Sequence, residues 1–240
     1  PAGEERIPLR GVRRAIAAHL LKAHQQTAPC TYVEEADFTE LVRLREKVQP
    51  LAEQRGVRLT FLPFVIAAAC AALKEHPRLN AVMDEETGEL VVKRAHHIGI
   101  AAQTDQGLLV PVIRDADQRH ILDLAAETHR LAEAARAGKL SREELSGGTF
   151  SITSLGPLGG LLATPIINTP QVAILGMHKI APRPVARDGQ VVIRQMANLS
   201  LTFDHRYIDG AVGAAFAATL IKYLEDPAVL LFSLAEFHHR

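Results

Sequence analysis

The stretch Phe61 to Leu73, Phe-Leu-Pro-Phe-Val-Ile-Ala-Ala-Ala-Cys-Ala-Ala-Leu, carries no charge and shows no polar face. Alanine is the best helix former, and a helix that is apolar all round is buried all round. The run contains Pro63 and falls short of the ~20 residues that cross a bilayer. It therefore predicts a core helix over Phe61 to His76, packed on most of its faces by the rest of the chain. Cys70, inside that run, reads as a small core residue rather than a nucleophile.

The elements around it are mixed. Val12 to His24 repeats apolar residues at helical spacing, and Asp37-Phe38-Thr39-Glu40 has the capping-box form before a helix from Glu40 to Gln54, closed at Gly56. Leu90 to Lys93, His97 to Ala101 and Leu108 to Ile113 read as strands, separated by turns at Glu86-Thr87-Gly88 and at Thr104-Asp105-Gln106-Gly107. Ile121 to Ala137 is a helix closed by Gly138, and Ser141 to Glu144 forms a second capping box. After Thr149 the chain turns to β-rich runs, Phe150 to Ile152, Val172 to Gly176, Val191 to Ile193 and Leu199 to Phe203. A last helix covers Ala211 to Leu224 and stops at Asp226-Pro227. With no repeat and no Pro/Ser/Gly linker, the 240 residues read as an α+β domain with a mixed sheet packed with helices.

Charge narrows the function classes. Lys+Arg and Asp+Glu both number 27, without the basic stripe that a phosphate backbone or an anionic membrane surface requires. Nucleic acid and membrane are therefore not expected as partners, and the start shows no signal peptide. Two cysteines cannot staple a secreted scaffold, so the expected compartment is the cytoplasm, or the mitochondrial matrix if the source is eukaryotic. No glycine-rich phosphate loop follows a strand, and no CxxC pair or HExxH helix suggests a metal. His96-His97 opens a strand with its rings on opposite faces, and His238-His239 is a terminal polar pair.

Chemistry concentrates in Ser200-Leu201-Thr202-Phe203-Asp204-His205-Arg206-Tyr207-Ile208-Asp209-Gly210. A strand delivers one imidazole to its end, and an acid and a glycine then open a helix. Imidazole exchanges protons near neutral pH, which makes His205 the best general-base candidate. The plainer alternative is a satisfied core histidine, with Asp209 as a helix N-cap.

Asp204-His205-Arg206-Tyr207-Ile208-Asp209-Gly210 resembles the Asp-His-Arg-x-x-Asp-Gly signature of the acyltransferase components of 2-oxo acid dehydrogenase complexes. Further blocks resemble that family in the same order: Leu79-Asn80-Ala81, Asp105 to Pro111, Gly147 to Gly156, Thr164 to Asn168 and Ala173 to Gly176. Chloramphenicol acetyltransferases and peptide-synthetase condensation domains share the His-x-x-x-Asp-Gly core but carry a second histidine where this chain has Asp204.

The resemblance implies a chloramphenicol acetyltransferase-like two-layer fold. It also implies reversible acyl transfer between coenzyme A and dihydrolipoic acid carried on a separate lipoyl domain, without a metal. His205 would take the thiol proton, Thr153 would donate to the oxyanion, and Asp209 would order the site through an arginine. Arg13, Arg14 and Arg206 are the candidates for that arginine. Thr153 has an adjacent competitor, Ser154, and in an extended segment only one of the two can face the site.

The acyl pocket is expected to include Ala163 and His178; coenzyme A contacts are not assigned. Thr153 and His178 look similar to the succinyl branch, whereas Ala163 replaces a hydroxyl expected there. The early blocks favour the branched-chain branch slightly over acetyl. The resemblance further implies a homotrimer built into a larger core, a 24-mer or a 60-mer, with decarboxylase and dihydrolipoamide dehydrogenase components as partners. His205 of one chain would then meet Thr153 of the next, and the two would lie far apart within one chain. Residues 1–240, opening at Pro1, are read as the catalytic domain without the lipoyl and subunit-binding domains. A core scaffold that keeps the fold but not the reaction is the rival reading, and the intact His205, Asp209, Gly210 and Thr153 count against it.

Overall fold

The structure is a computed structural model that describes residues 3–105 and 107–237. Gln106 and the His238-His239 pair lie outside the described residues.

In chain order the first half forms α1 (Gly11–Gln26), β1 (Pro29–Asp37), α2 (Thr39–Glu53), α3 (Leu62–Glu75), β2 (Ala81–Asp84), β3 (Glu89–Val92), β4 (Ile98–Ile100), β5 (Ala102–Thr104), β6 (Gly107–Leu109) and β7 (Val112–Ile113). The second half forms α4 (Ile121–Arg136), β8 (Phe150–Ser154), β9 (Ala173–Met177), β10 (Ala181–Arg187), β11 (Gln190–Asp204), α5 (Gly210–Glu225) and α6 (Pro227–Phe237).

The apolar run behaves as its composition requires. Every residue of α3 from Pro63 to Leu73 is buried. Pro63 falls in the first helical turn, where its missing N–H breaks no helical bond. Burial pushes the Cys70 thiol well above its ordinary range, which leaves it protonated and inert.

The main sheet runs β1-β11-β9-β8-β4-β7, with β10 pairing the start of β11. β8 lies parallel to β4 and β9, and the remaining ladders are antiparallel. Alternation gives the sheet two different faces. Phe150, Ile152, Ala173, Leu175, Leu199, Leu201 and Phe203 join the core that contains α3 and α5. Ser151, Thr153, Gly176, Ser200, Thr202 and Asp204 take the other face, because residues paired across a ladder point the same way. Full burial of a phenylalanine such as Phe150 or Phe203 contributes roughly 1.5–3 kcal/mol each.

Several elements depart from the sequence reading. β1 carries Glu34 and Glu35, and these acids mask a strand that lies at the sheet's edge, where their carboxylates stay exposed. β10 holds Pro182 and Pro184, which an edge strand tolerates and a central strand does not. The two runs expected near 191–193 and 199–203 are parts of the single long β11. The expected strand from Leu108 to Ile113 breaks into β6 and β7, with Pro111 between them. Pro227 opens α6 instead of ending the helical region, and Asp226 accepts from the backbone N–H groups of Ala228 and Val229.

The capping boxes divide. Ser141 and Glu144 exchange both bonds, at 2.8 and 3.2 Å, ahead of a short 3₁₀ turn. Asp37 and Glu40 do not: Asp37 is buried and pairs with Arg194 at 2.7 Å, while Glu40 binds Arg43 at 2.6 Å.

Candidate active site

His205 stands just past the end of β11. Its backbone N–H donates to the Ala28 carbonyl at 2.8 Å, which ties the turn to the start of β1. Its ring packs on Phe203 with centroids 5.8 Å apart, and its side chain is exposed. Phe203 is fully buried and faces Gly213 of α5, where an added Cβ would come within 2.5 Å of the ring. The glycine therefore lets α5 approach the phenylalanine that supports the histidine.

The residue before His205 has its own lock. Asp204 is fully buried, and its carboxylate accepts from Arg206 Nη2 at 2.6 Å, from Arg206 Nε at 3.0 Å, and from the backbone N–H groups of Arg206 and Ala28. Burial alone would raise its pKa. The guanidinium and the two backbone donors outweigh burial and hold the carboxyl below its ordinary value.

That pairing removes Arg206 from the candidates for Asp209. Arg13 has its guanidinium carbon 3.6 Å from where a Gly107 Cβ would sit, and among the described residues neither Arg13 nor Arg14 bonds to the Asp209 carboxylate. Asp209 occupies the N-cap position of α5, with extended backbone angles, yet its exposed side chain makes no capping bond. The geometry thus does not support the plain N-cap reading.

Thr153 is on β8, paired with Gly176 of β9, and Gly176 is paired in turn with Ser200 of β11. Thr153 is partly buried, and its hydroxyl bonds to no described residue. Ser154, the competitor, points to the opposite face and accepts from the Gly156 backbone N–H at 3.2 Å.

Thr153 and His205 do not meet within the chain. At ~3.3 Å per residue along β11 and ~4.8 Å per strand across, the register puts them roughly 19 Å apart. They also face opposite sides, since Thr153 shares the Ser200 face and His205 stacks on Phe203 of the core face.

Ala163 and His178, by contrast, come together. The Ala163 backbone N–H donates to His178 Nε2 at 3.3 Å, and Ser200 Oγ lies 2.8 Å from the same nitrogen. A Cβ on Gly176 would lie 3.4 Å from Nε2, so the imidazole rests over the glycine beside Thr153. Burial lowers the His178 pKa and keeps the ring neutral. Sequence reasoning offered Arg206 to Asp209 rather than to Asp204, gave Ser200 no role beside His178, and missed the Ser151–Gln171 bond at 2.7 Å on that face. The strict alternation of Ser200-Leu201-Thr202-Phe203-Asp204 was the available signal for a polar inner face. Among the described residues no group of three or more His, Cys, Asp or Glu could hold a metal. Among them, also, no helix is long and apolar enough to cross a membrane.

Residues 1–232 match the family model described as 2-oxoacid dehydrogenases acyltransferase (catalytic domain). The chain belongs to this acyltransferase family. Over 226 residues, 94% of the chain, it is 46% identical to the lipoamide acyltransferase component of the branched-chain alpha-keto acid dehydrogenase complex of Pseudomonas putida, covering 53% of that protein. It is 43% identical over 231 residues to the dihydrolipoyllysine-residue acetyltransferase component of the Staphylococcus epidermidis pyruvate dehydrogenase complex, covering 96% of this chain and 53% of that one. The acyltransferase chain thus spans about half the length of the curated relatives it matches.

Among solved structures, the dihydrolipoamide acetyltransferase of Azotobacter vinelandii superposes with a TM-score of 0.92 at 42% identity, covering 96% of this chain and 95% of that one. That enzyme was investigated for the roles of a serine, a histidine and an asparagine in its catalytic mechanism. A chloramphenicol acetyltransferase, at 15% identity and a TM-score of 0.55 over 92% of this chain and 99% of that one, shares the fold. The α+β two-layer architecture expected from the sequence is therefore the architecture observed.

Proposed function

We propose that this acyltransferase domain moves an acyl group reversibly between a dihydrolipoyl thiol and coenzyme A. His205 acts as the general base. A thiol with a pKa near 8.5 is mostly protonated at neutral pH, so an imidazole positioned beside it raises the share of thiolate. The thiolate attacks the thioester carbonyl, and the Thr153 hydroxyl donates to the oxyanion. Collapse expels the other thiolate, which recovers the proton from the imidazolium.

The observation that carries this reading is the split between the two residues. An exposed histidine fixed at a strand end and an unbonded threonine hydroxyl on the opposite face make a complete site only when two copies adjoin. A homotrimer, assembled into a larger core, meets that requirement. The spacings from Thr153 to His205 and from His205 to Asp209 equal those of the serine, histidine and asparagine studied in the Azotobacter enzyme. Asp209, with its carboxylate uncommitted to α5, is left to order the site through an arginine, and a neighbouring copy can supply it.

Residues 1–240 are the catalytic, core-forming domain in this reading. The lipoyl group arrives as a substrate on a separate domain, and decarboxylase and dihydrolipoamide dehydrogenase components complete the complex. The branched-chain acyl group is slightly favoured over acetyl on the early blocks Ala36 to Arg45 and Leu59 to Phe64, and succinyl is disfavoured because Ala163 offers a carboxylate no hydroxyl donor. The test is an assay of the assembled domain with free dihydrolipoamide and acetyl-, isobutyryl- and succinyl-CoA. Turnover that disappears in His205→Ala is expected. Full activity in that variant, or no turnover with any acyl-CoA, would overturn the proposal.

A further inference from the structure

Between β8 and β9 the chain runs as an irregular segment, residues 155–172, across the polar face of the sheet. Its two ends are well tied. Ser154 Oγ accepts from Gly156, Leu158 and Gly159 bond back to Leu155 and Gly156, and Gln171 binds Ser151. Its middle is not. Among the described residues, the bond from the Ala163 N–H to His178 is the one hydrogen bond that ties residues 160–166 to the rest of the chain. That stretch also exposes Leu161, Leu162 and Ile166, so apolar burial does little to hold it.

We propose that His178 is a positioning residue that latches this segment onto the sheet beside Thr153, through one ring nitrogen shared by Ser200 and the Ala163 backbone. The inference rests on the reading of Thr153 as oxyanion donor, because the segment leaves the sheet directly after Thr153-Ser154 and returns over Gly176, Thr153's ladder partner. Its course therefore bounds one side of the space in front of the threonine hydroxyl.

The chemistry of the latch follows from the donors. A backbone N–H can only donate, so Nε2 must be the unprotonated nitrogen and Nδ1 must carry the ring proton. Ser200 can donate to the same nitrogen, or turn its hydrogen elsewhere. Protonating Nε2 removes the acceptor that holds Ala163 and frees the segment. The groups that face the ring are Ser200 from β11, Gly176 from β9 and Ala163 from the segment itself, with Pro165 also over Gly176. None is charged, and burial is the cause of the lowered pKa. The latch is therefore closed at neutral pH and opens on the acid side of the ordinary histidine range.

Amide hydrogen exchange of the assembled protein, read as protection factors over residues 160–166 between pH 5 and pH 8, tests this directly. In the wild type, protection of the Ala163 amide is expected to fall roughly fivefold on acidification, the equilibrium worth of one net hydrogen bond. His178→Gln keeps an acceptor that does not titrate, so its protection should be independent of pH. His178→Ala should show the low value throughout. The pH profile of kcat should follow, with the acid-side loss reduced in His178→Gln. Equal protection in wild type and His178→Ala, or an identical acid response in wild type and His178→Gln, would overturn the latch. An inactive wild type whose segment still opens with acid would overturn the acyl-transfer reading and leave the latch standing.

Discussion

Thr153 and His205 lie on opposite faces of one sheet, two strands apart and at different heights along β11. The geometry gives complementation between two inactive variants a defined expectation. Each site would take its histidine from one chain and its threonine from the next. In random trimers of His205→Ala and Thr153→Ala chains, about a quarter of the sites then recover both groups. Co-expression followed by the dihydrolipoamide assay should return activity well above either variant alone. No recovery in verified mixed trimers would mean that both residues act within one chain.

The Thr153 hydroxyl bonds to no described residue, so replacing it disturbs no recorded hydrogen bond. Thr153→Ala should lower kcat by about 10²–10³, the usual loss for one oxyanion donor, while KM changes little. Thr153→Ser restores the donor and should recover most of the rate. The adjacent Ser154→Ala should leave the chemical step largely intact, because that hydroxyl faces away and serves the Gly156 turn. Steady-state kinetics of the three variants would separate the two hydroxyls.

Arg206 keeps a fully buried carboxylate paired. Arg206→Ala leaves Asp204 with only its backbone donors, and unpairing a buried charge costs about 3 kcal/mol. The pH dependence carries a sign that can be checked. The folded pKa of Asp204 is depressed below its ordinary value of 3.8. Its contribution to stability is thus fully present above that value and is lost as pH falls towards the folded pKa. Denaturation midpoints between pH 3 and pH 7 should show an acid-side decline in the wild type that shrinks in Arg206→Ala.

Gly213 is where α5 meets Phe203. A Cβ there would fall 2.5 Å from one ring carbon and 3.0 Å from the next, and the ring is enclosed in the core. Gly213→Ala should therefore lower stability by about 1–3 kcal/mol, despite alanine's better helix propensity. Because His205 stacks on the displaced ring, kcat should fall as well. Thermal unfolding that matches the wild type would refute the close approach.

How far the sequence reaches is clearest in particular residues. The burial of α3 is written in its composition, since a helix without a polar face has only one environment. The turn bearing His205 is equally legible, because a strand, an acid and a glycine follow one another at fixed spacing. β1 and β10 were not legible: Glu34, Glu35, Pro182 and Pro184 contradict strand propensity and are tolerated only because these strands sit at edges or beside a single partner. The partner of Asp209 was not legible either. Arginine choice depends on three-dimensional approach, and the nearest one in sequence, Arg206, is spent on Asp204. Ala163 and His178, 15 residues apart in the chain, meet only because an irregular segment folds back over Gly176.

The neutral state of His178 also bears on the acyl group. A succinyl thioester would bring a carboxylate towards the side of Thr153, where a charge without a cation is costly to desolvate. The nearest imidazole has its Nε2 engaged by Ser200 and Ala163, and burial opposes its protonation. Position 163 itself offers a methyl group where a hydroxyl would have been an added donor. Isobutyryl-CoA and acetyl-CoA should therefore exceed succinyl-CoA in kcat/KM by roughly 10²-fold, the selectivity an apolar pocket exerts against an added polar group. Ala163→Ser should narrow that gap by improving succinyl-CoA while leaving acetyl-CoA nearly unchanged. Succinyl-CoA as the best substrate of the wild type would refute the apolar-acyl reading while leaving the roles of His205 and Thr153 intact.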